Sequence, residues 1–383
     1  MNVIIQLAER LLGRLGDAPV RVELWDGSVV GDPDGRWVLR VTERAVLTDL
    51  AKDFDRGAAE AFCRGALQVE GDLPELLEAA FRAGVGRPSG FKLLRRLRHD
   101  RKRAAAAAAH HYDVGNDFYR LWLDPELVYT CAFFPRPDDD LATAQRAKMD
   151  RVCRKLALRP GETVVEAGAG WGALSLHMAE HYGVRVRAWN VSQEQVAWSR
   201  EQAARRGLAD RVEFVLDDWR AIPRDGGADA FVSVGMLEHV GPAQYAELGA
   251  VAAGTLTPQG RGLIHSIGRA RPRPMHPWIE ERIFPNAHPP SLAEMMGIFE
   301  PNDLVTLDVE NLRRHYARTL RLWHDNYVEA WDAVVAEVGE ERARAWLLYL
   351  AGSCATFRVG GLELFQVVFA RAGSAAIPWT RPG

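Results

Sequence analysis

Three glycines at alternate positions, Gly168, Gly170 and Gly172, follow a short apolar run, Thr163 to Ala167. The next residues, Ala173 to His181, have helical spacing. A buried strand, a glycine-rich turn and a helix start together make a binding place for a nucleotide-type ligand. Glycine lets backbone come close to the ligand, and the helix N-terminus presents free N–H groups. Glu166, at the strand end, could orient the loop or the ligand. The dinucleotide fingerprint is G-x-G-x-x-G, and here the third glycine arrives one residue early. A glycine-rich turn that holds no ligand is the plainer alternative.

The other polar clusters are HHYDVGNDFY (residues 110–119), YTCAFF (129–134), Asn190, Asp217-Asp218-Trp219 and GMLEH (235–239). After the glycine turn the chain alternates strand and helix. Strands are expected at Val184 to Trp189, Val212 to Leu216, Ala228 to Val234 and Arg261 to His265, with helices between, one of them from about Ser192 to Arg206. This alternation implies an α/β architecture, a parallel sheet with helices on both faces. Ligands in such sheets bind beyond the C-terminal strand ends. The clusters after Trp189, Leu216 and Val234 stand at such ends, so several levels agree. A Pro-, His- and Arg-rich stretch at 269–300 reads as a long ordered insertion or lid. Val305 to Val309 is a strand candidate, Asn311 to Val338 and Glu340 to Phe357 are long helices, and Phe365 to Ala370 is a last strand.

The chain of 383 residues is comfortable for two domains. Residues 1–90 read as a small α+β domain. VRVELW (Val20 to Trp25) and WVLRV (Trp37 to Val41) alternate and are expected to form a hairpin. Ala58 to Val69 reads as a helix running towards a strand, and Leu73 to Phe81 as an amphipathic helix. A basic and Ala-rich linker occupies residues 91–109, with seven Lys/Arg between Lys92 and Arg103. It reads either as a solvated helix or as a contact to anionic lipid headgroups. The remaining domain is placed at 110–375. A helix rich in Arg and Lys, Leu141 to Leu156, leads into the glycine-turn strand.

A net charge of −3 argues against a general nucleic-acid binder. No run approaches a membrane span, and the N-terminus lacks the continuous apolar core of a signal peptide. The four cysteines, at 63, 131, 153 and 354, have no metal-ligand spacing and suit a reducing cytosol.

A tight G-x-G-x-G turn after an acidic residue resembles that of S-adenosylmethionine (AdoMet) methyltransferases. From about His110 to Ala370 the chain resembles the cyclopropane-fatty-acyl-phospholipid synthases and the mycolic acid methyltransferases. The motifs that carry the resemblance are HYDVGNDFY, YTCAFF, EAGAGWG, MLEHVG, LIHSIG, IFPNAHPPS, ENLRRHYARTLRLW and CATFRVGGLELFQVVF. FCRGALQVEGDL resembles part of the sterol-carrier-like N-terminal domain of the phospholipid-acting synthases, which the mycolic acid enzymes lack. Two positions depart from the family pattern. The usual G-C-G is Gly168-Ala169-Gly170, and the usual T-L-S is Asn190-Val191-Ser192.

The resemblance implies a class I, Rossmann-like methyltransferase fold with a mostly parallel seven-stranded sheet and a small lipid-binding-like N-terminal domain. It implies AdoMet as methyl donor and the cis double bond of an unsaturated phospholipid as acceptor. An alkene is a poor nucleophile, so it needs the methyl group held in line, in a dry site. Attack leaves a carbocation, which aromatic faces can stabilise without trapping. Tyr112, Phe133, Phe134, Tyr316 and Trp323 are the candidates, with core packing as the alternative for each.

Proton loss from the new methyl group closes a cyclopropane ring. The family uses bound bicarbonate as base, and its ligands carry over to Cys131, Glu238, His265, Ile267 (through backbone N–H) and Tyr316. Taken singly, Cys131 could be a buried small residue and His265 a satisfied core histidine. AdoMet contacts carry over to Tyr129, Thr130, Gly168, Gly170, Trp171, Gly172, Asn190, Val191, Gln195, Asp218 and Trp219. Asp218-Trp219 suits adenine, with a carboxylate for its amino group and a ring for its face. No metal is implied.

The expected setting is cytoplasmic, peripheral to the inner face of the membrane, as a homodimer through the N-terminal domain. Two other outcomes compete. One is a sibling reaction giving a methylene- or methyl-branched chain, and the other is a non-catalytic lipid carrier. A nucleic-acid or protein methyltransferase is more distant, since no Asn/Asp-Pro-Pro-Tyr/Phe motif is present.

Overall fold

Apolar runs that stop at Gly168, Asp217, Gly235 and Gly268 mark the ends of four strands in the sheet that carries the site. The structure is a computed structural model that describes residues 3–86 and 115–375. The basic linker and Tyr112 lie outside the described residues. Contacts divide the chain into two units. The first holds residues 3–86 with His276–Ile283 and Ala317–Gly361; the second holds 115–275, Phe284–Tyr316 and 362–375.

The first unit contains a four-stranded sheet of β1 (Val20–Leu24), β2 (Val29–Gly31), β3 (Trp37–Val41) and β4 (Leu67–Glu70), in the order β2-β1-β3-β4. The expected hairpin between β1 and β3 is not what forms. Those two strands pair in parallel, and β1 makes its antiparallel pair with β2. The Asp26-Gly27 turn closes that short hairpin, with Gly27 N–H donating to the Leu24 carbonyl (3.0 Å). Asp32 to Gly35 then sends the chain back to run beside β1. Asp53 and Asp72 cap the helices Phe54–Cys63 and Leu73–Arg82 by accepting from backbone N–H groups three residues on. Ala58 to Val69 is thus the end of one helix plus β4.

The contiguous domain boundary expected at 110–375 also needs correction. The Glu340–Arg358 helix packs on Phe54–Cys63 and Leu73–Arg82, around Phe62, Leu73 and Ala351. Arg321 pairs with Asp72 (2.6 Å) and Arg358 with Glu78 (3.3 Å). Helical periodicity shows that these segments have an apolar face but not which partner covers it. The single helix expected over Asn311 to Val338 is two, Arg313–Glu329 and Trp331–Val338.

The second unit is built on a seven-stranded sheet. Its strands are β5 (Thr163–Ala167), β6 (Arg185–Asn190), β7 (Val212–Leu216), β8 (Ala228–Val234), β9 (Leu256–Gly268), β10 (Leu304–Asn311) and β11 (Glu363–Arg371). Their order is β10-β11-β9-β8-β5-β6-β7. The pairs among β5 to β9 are parallel, and β11 lies antiparallel between β9 and β10. Strand order reverses at β5, with β6 on one side and β8 on the other, so a crevice opens above its C-terminal end.

Two large apolar clusters fill this unit. One gathers Val164, Leu176, Val186, Phe214 and Val232; the other gathers Val165, Phe231, Leu248, Ile298 and Phe369. β9 starts five residues before the expected Arg261. Arg261 itself is buried and fully bonded. Its guanidinium donates to both Glu162 carboxylate oxygens (3.0 and 2.6 Å) and to the carbonyls of Leu156, Ala157 and Asp229. A paired, hydrogen-bonded charge of this kind is tolerated inside a sheet.

Candidate active site

The glycine turn above β5 is pinned to β6. Gly168 and Ala169 donate their N–H groups to the Trp189 carbonyl (2.9 and 3.1 Å). All three glycines have φ in the left-handed region, at +84°, +54° and +83°. Their surroundings differ. A Cβ on Gly168 would lie 2.8 Å from Met236 Cβ, and one on Gly172 would lie 2.7 Å from the Phe214 ring and 2.8 Å from Ser199 Oγ. A Cβ on Gly170 would meet nothing within 4 Å.

The turn walls a cavity of about 160 Å³. Tyr129, Thr130, Gly168, Gly170, Trp171, Asn190, Val191, Gln195, Asp218 and Trp219 all line it, as the sequence places them. Gly172 does not line it. Its role is to let the following helix close on β7 and on the Gln193–Arg205 helix.

Several of these side chains hold the cavity together. Asn190 Nδ2 donates to the Gly170 carbonyl (2.9 Å) and to Gln195 Oε1 (2.8 Å), so its amide braces the glycine turn. Asp218 Oδ1 accepts from Arg220 N–H (3.0 Å) and Nη1 (2.7 Å), while the Arg220 guanidinium lies 4.2 Å over the Trp219 ring. Trp171 Nε1 donates to Asn116 Oδ1 (2.7 Å). That bond ties the GNDFY end of the HHYDVGNDFY motif to the turn, and Tyr119 packs between the rings of Trp171 (4.9 Å) and Tyr129 (5.5 Å).

A second group of polar residues gathers where β8 and β9 run side by side, outside the lining of that cavity. Val234 pairs with His265, and alternation puts His265 and Ile267 on one face of β9. Glu238 sits in the 3-10 turn Leu237–His239 just past β8. The Ile267 N–H donates to Glu238 Oε1 (2.6 Å), so Glu238 takes the donor that the sequence assigned to an external oxyanion. Glu238 Oε2 is buried with no hydrogen-bond partner among the described residues. The same is true of His265 Nε2.

Gln366 on β11 donates its Nε2 to His265 Nδ1 (3.1 Å), an orientation that places the ring proton on Nε2. Burial drives the imidazole well below its ordinary range, so it is neutral, and pushes the Glu238 carboxyl up to about 7. Two buried, unpartnered polar atoms, one a donor and one able to hold a proton, suit a small oxyanion such as bicarbonate. The Cys131 thiol donates to the Ala132 carbonyl (3.1 Å), and Tyr316 is buried at the start of its helix.

The aromatic candidates separate. Phe133 has the Arg151 guanidinium 4.4 Å over its ring and His315 4.6 Å away, so one face is already covered by a protein cation. Phe134 is buried, stacks on His315, and donates its N–H to His315 Nδ1 (3.0 Å). Trp323 belongs to the first unit and is fully buried.

The raised Glu238 carboxyl carries a stability prediction. Its ordinary value is 4.5, so the folded chain keeps a proton that the unfolded chain releases. This favours folding fully below about 4.5, and the contribution is lost as pH rises through about 7. Glu238→Gln keeps the neutral shape. Relative to the native chain, it is expected to gain on the order of 2 kcal/mol between about pH 5 and about pH 8. Urea melts at the two pH values check this, and a pH-independent difference contradicts it.

Sequence reasoning missed the residues that hold the site from behind. Gln145 and Lys148, on the Leu141–Lys155 helix, both face the Tyr129–Thr130 loop. Gln145 Nε2 donates to the carbonyls of Val128 (3.2 Å) and Thr130 (2.8 Å), and Lys148 Nζ donates to Thr130 Oγ1 (2.9 Å). The available signal was their i, i+3 spacing in a helix that otherwise read only as rich in Arg and Lys. Gln366 stood inside an apolar strand, FQVVFA, where a buried amide calls for a partner.

A parallel sheet reversing at β5, a glycine turn at its crest and a cavity lined from β5, β6, β7 and β8 define a class I AdoMet-dependent methyltransferase fold. Within that class the particular family follows from comparison with known proteins. Residues 99–367 match the mycolic acid cyclopropane synthetase family model. A probable fatty acid methyltransferase of Pseudomonas putida is 36% identical over 381 residues, with 95% of each chain covered. The cyclopropane-fatty-acyl-phospholipid synthase of Escherichia coli (strain K12) is 33% identical, covering 96% of this chain and 93% of its own. Among solved structures, mycolic acid cyclopropane synthase CmaA1 complexed with SAH and CTAB matches with a TM-score of 0.65 at 30% identity, covering 70% of this chain and 98% of its own. The protein belongs to the cyclopropane synthase family and is an enzyme of the AdoMet-dependent methyltransferase class.

Proposed function

We propose that the protein transfers a one-carbon unit from AdoMet to the cis double bond of unsaturated acyl chains in phospholipids, forming a cyclopropane ring, with bicarbonate bound as base. The observation that carries this reading is the pair of buried, unpartnered atoms, Glu238 Oε2 and His265 Nε2, beside the cofactor fold. Methyl transfer to oxygen or nitrogen has no need of a dry oxyanion site, whereas ring closure must remove a proton from a carbon that has just become saturated. Coverage supports phospholipid as acceptor. The phospholipid synthase of E. coli aligns with nearly the whole chain, first unit included, while the mycolic acid enzyme aligns with 70% of it.

AdoMet supplies an electrophilic methyl group. Backbone at Gly168 and Gly170 would hold it, Asn190 braces the turn, and Asp218 and Trp219 would frame the adenine end. Bicarbonate, where bound, supplies the proton acceptor. Glu238 and His265 would hold it: the neutral imidazole donates from Nε2, and the Glu238 carboxyl shares a proton through Oε2. Ile267 keeps Glu238 in place through Oε1.

One observation favours a second reading, a methylene- or methyl-branched product. The relative at 36% identity is described as a probable fatty acid methyltransferase, a name that covers branching as well as ring closure. The purified protein is tested with AdoMet and vesicles of cis-monounsaturated phospholipid in carbonate-free buffer, with and without added bicarbonate. SAH release that rises with bicarbonate and requires the double bond is the expected result. Release independent of both overturns the proposal.

A further inference from the structure

A lysine sits in the wall of the cofactor cavity with no ion-pair partner among the described residues. Lys148 is 2% exposed. Its Nζ bonds Thr130 Oγ1 (2.9 Å), and among the described residues no carboxylate lies within ion-pair distance of it. The nearby acids are otherwise engaged. Asp124 accepts backbone N–H groups on both oxygens, from Val128 (2.9 Å) and Glu126 (3.1 Å), and Glu166 accepts from Ser175. Burial lowers the ammonium to about 8, so it keeps its charge at neutral pH. A buried cation of this kind calls for an anionic partner.

Position says which anion. Thr130 lies against Gly235 at the end of β8, where a Cβ would stand 2.9 Å from Thr130 Cγ2. Asp218 and Trp219 line the same cavity from the end of β7, with β5 and β6 between. The cavity therefore runs across the strand ends from an acidic, aromatic end to a cationic one. A ligand with adenine at β7 turns its other end towards β8. Because Lys148 donates to Thr130 Oγ1, the Thr130 hydroxyl proton points away from the ammonium. An N–H and an O–H donor then stand side by side, which is what a carboxylate accepts.

We propose that Lys148, with the Thr130 hydroxyl it orients, binds the methionyl carboxylate of AdoMet. This rests on the AdoMet reading of the cavity and adds the group that recognises the amino-acid end. It makes the site selective for the intact methionyl tail over a bare thioadenosine.

The test is calorimetric titration of the full native chain, Lys148→Met and Thr130→Val with SAH and with methylthioadenosine, which share adenosine and sulfur but differ in the amino-acid tail. The native chain is expected to prefer SAH. Lys148→Met is expected to lose about 10- to 100-fold in SAH affinity and to bind methylthioadenosine as the native chain does, which also reports an intact cavity. Thr130→Val, which keeps the side-chain shape, is expected to lose SAH affinity selectively as well. Unchanged SAH affinity in Lys148→Met, or an equal loss for both ligands in both variants, overturns the proposal. If Lys148→Met instead keeps the preference but loses bicarbonate stimulation, the ammonium serves that ion and the proposal falls. A native chain that binds both ligands alike removes only the Lys148 assignment, whereas one that binds neither removes the AdoMet reading with it.

Discussion

Glu238→Ala is expected to lower turnover by about 100- to 10,000-fold while leaving SAH affinity within a few-fold of native. The carboxyl does two things that alanine cannot. Its Oε1 takes the Ile267 N–H, and its Oε2 is buried with no hydrogen-bond partner among the described residues. Removing it leaves the Ile267 N–H without its acceptor and takes a proton-holding carboxyl out of the buried site. The residue does not line the cofactor cavity, so the cofactor should bind as before. Steady-state SAH release together with calorimetric SAH binding gives both numbers. An alanine variant that turns over at native rate removes Glu238 from the chemistry. One that loses SAH binding shows instead that the residue supports the cavity.

Gly172→Ala is expected to cost about 3 kcal/mol of stability, combining left-handed backbone strain with overpacking against Phe214 and Ser199. Gly170→Ala is the contrast. Its Cβ meets nothing within 4 Å, so only the backbone strain, on the order of 1 kcal/mol, should appear. Thermal and urea melts of the two variants should therefore differ clearly, with Gly172→Ala the less stable. Equal losses would mean that the helix after the turn has no close fit on β7, contrary to the packing described above.

The same turn shows how far the chain could be read from sequence. Its strand, glycines and helix were legible because each imposes a local pattern: an apolar run, alternate glycines, then helical spacing. β7 and β8 were equally plain, as buried runs that stop at Asp217 and Gly235. What the pattern could not tell was why each glycine is there. Gly172 and Gly170 look alike in sequence, yet one faces a phenylalanine ring and the other open space. β2 was missed because Val29–Gly31 is too short to show alternation, and its absence made β1 and β3 look like a hairpin. The start of β9 was missed because Pro258 and Gly260 stand inside it, and both read as strand breakers. Asn190 was read as a ligand contact; it lines the cavity, and its amide also braces Gly170 and Gln195, which the sequence did not show. Lys148 was hidden among the other Lys and Arg residues of its helix. Side chains that act from behind the site carry no motif of their own, and only the fold shows what they touch.

The proposed reaction adds a one-carbon unit to an alkene and closes it into a ring. The direct test is mass spectrometry of the acyl chains after incubation of the purified protein with AdoMet and cis-monounsaturated phospholipid vesicles, followed by mild hydrogenation. The predicted product is heavier than the starting chain by one CH₂ and takes up no hydrogen. A product of the same mass that does take up hydrogen would mean a methylene-branched chain. An unchanged acyl chain, from protein that still binds SAH, would contradict lipid C-methylation itself.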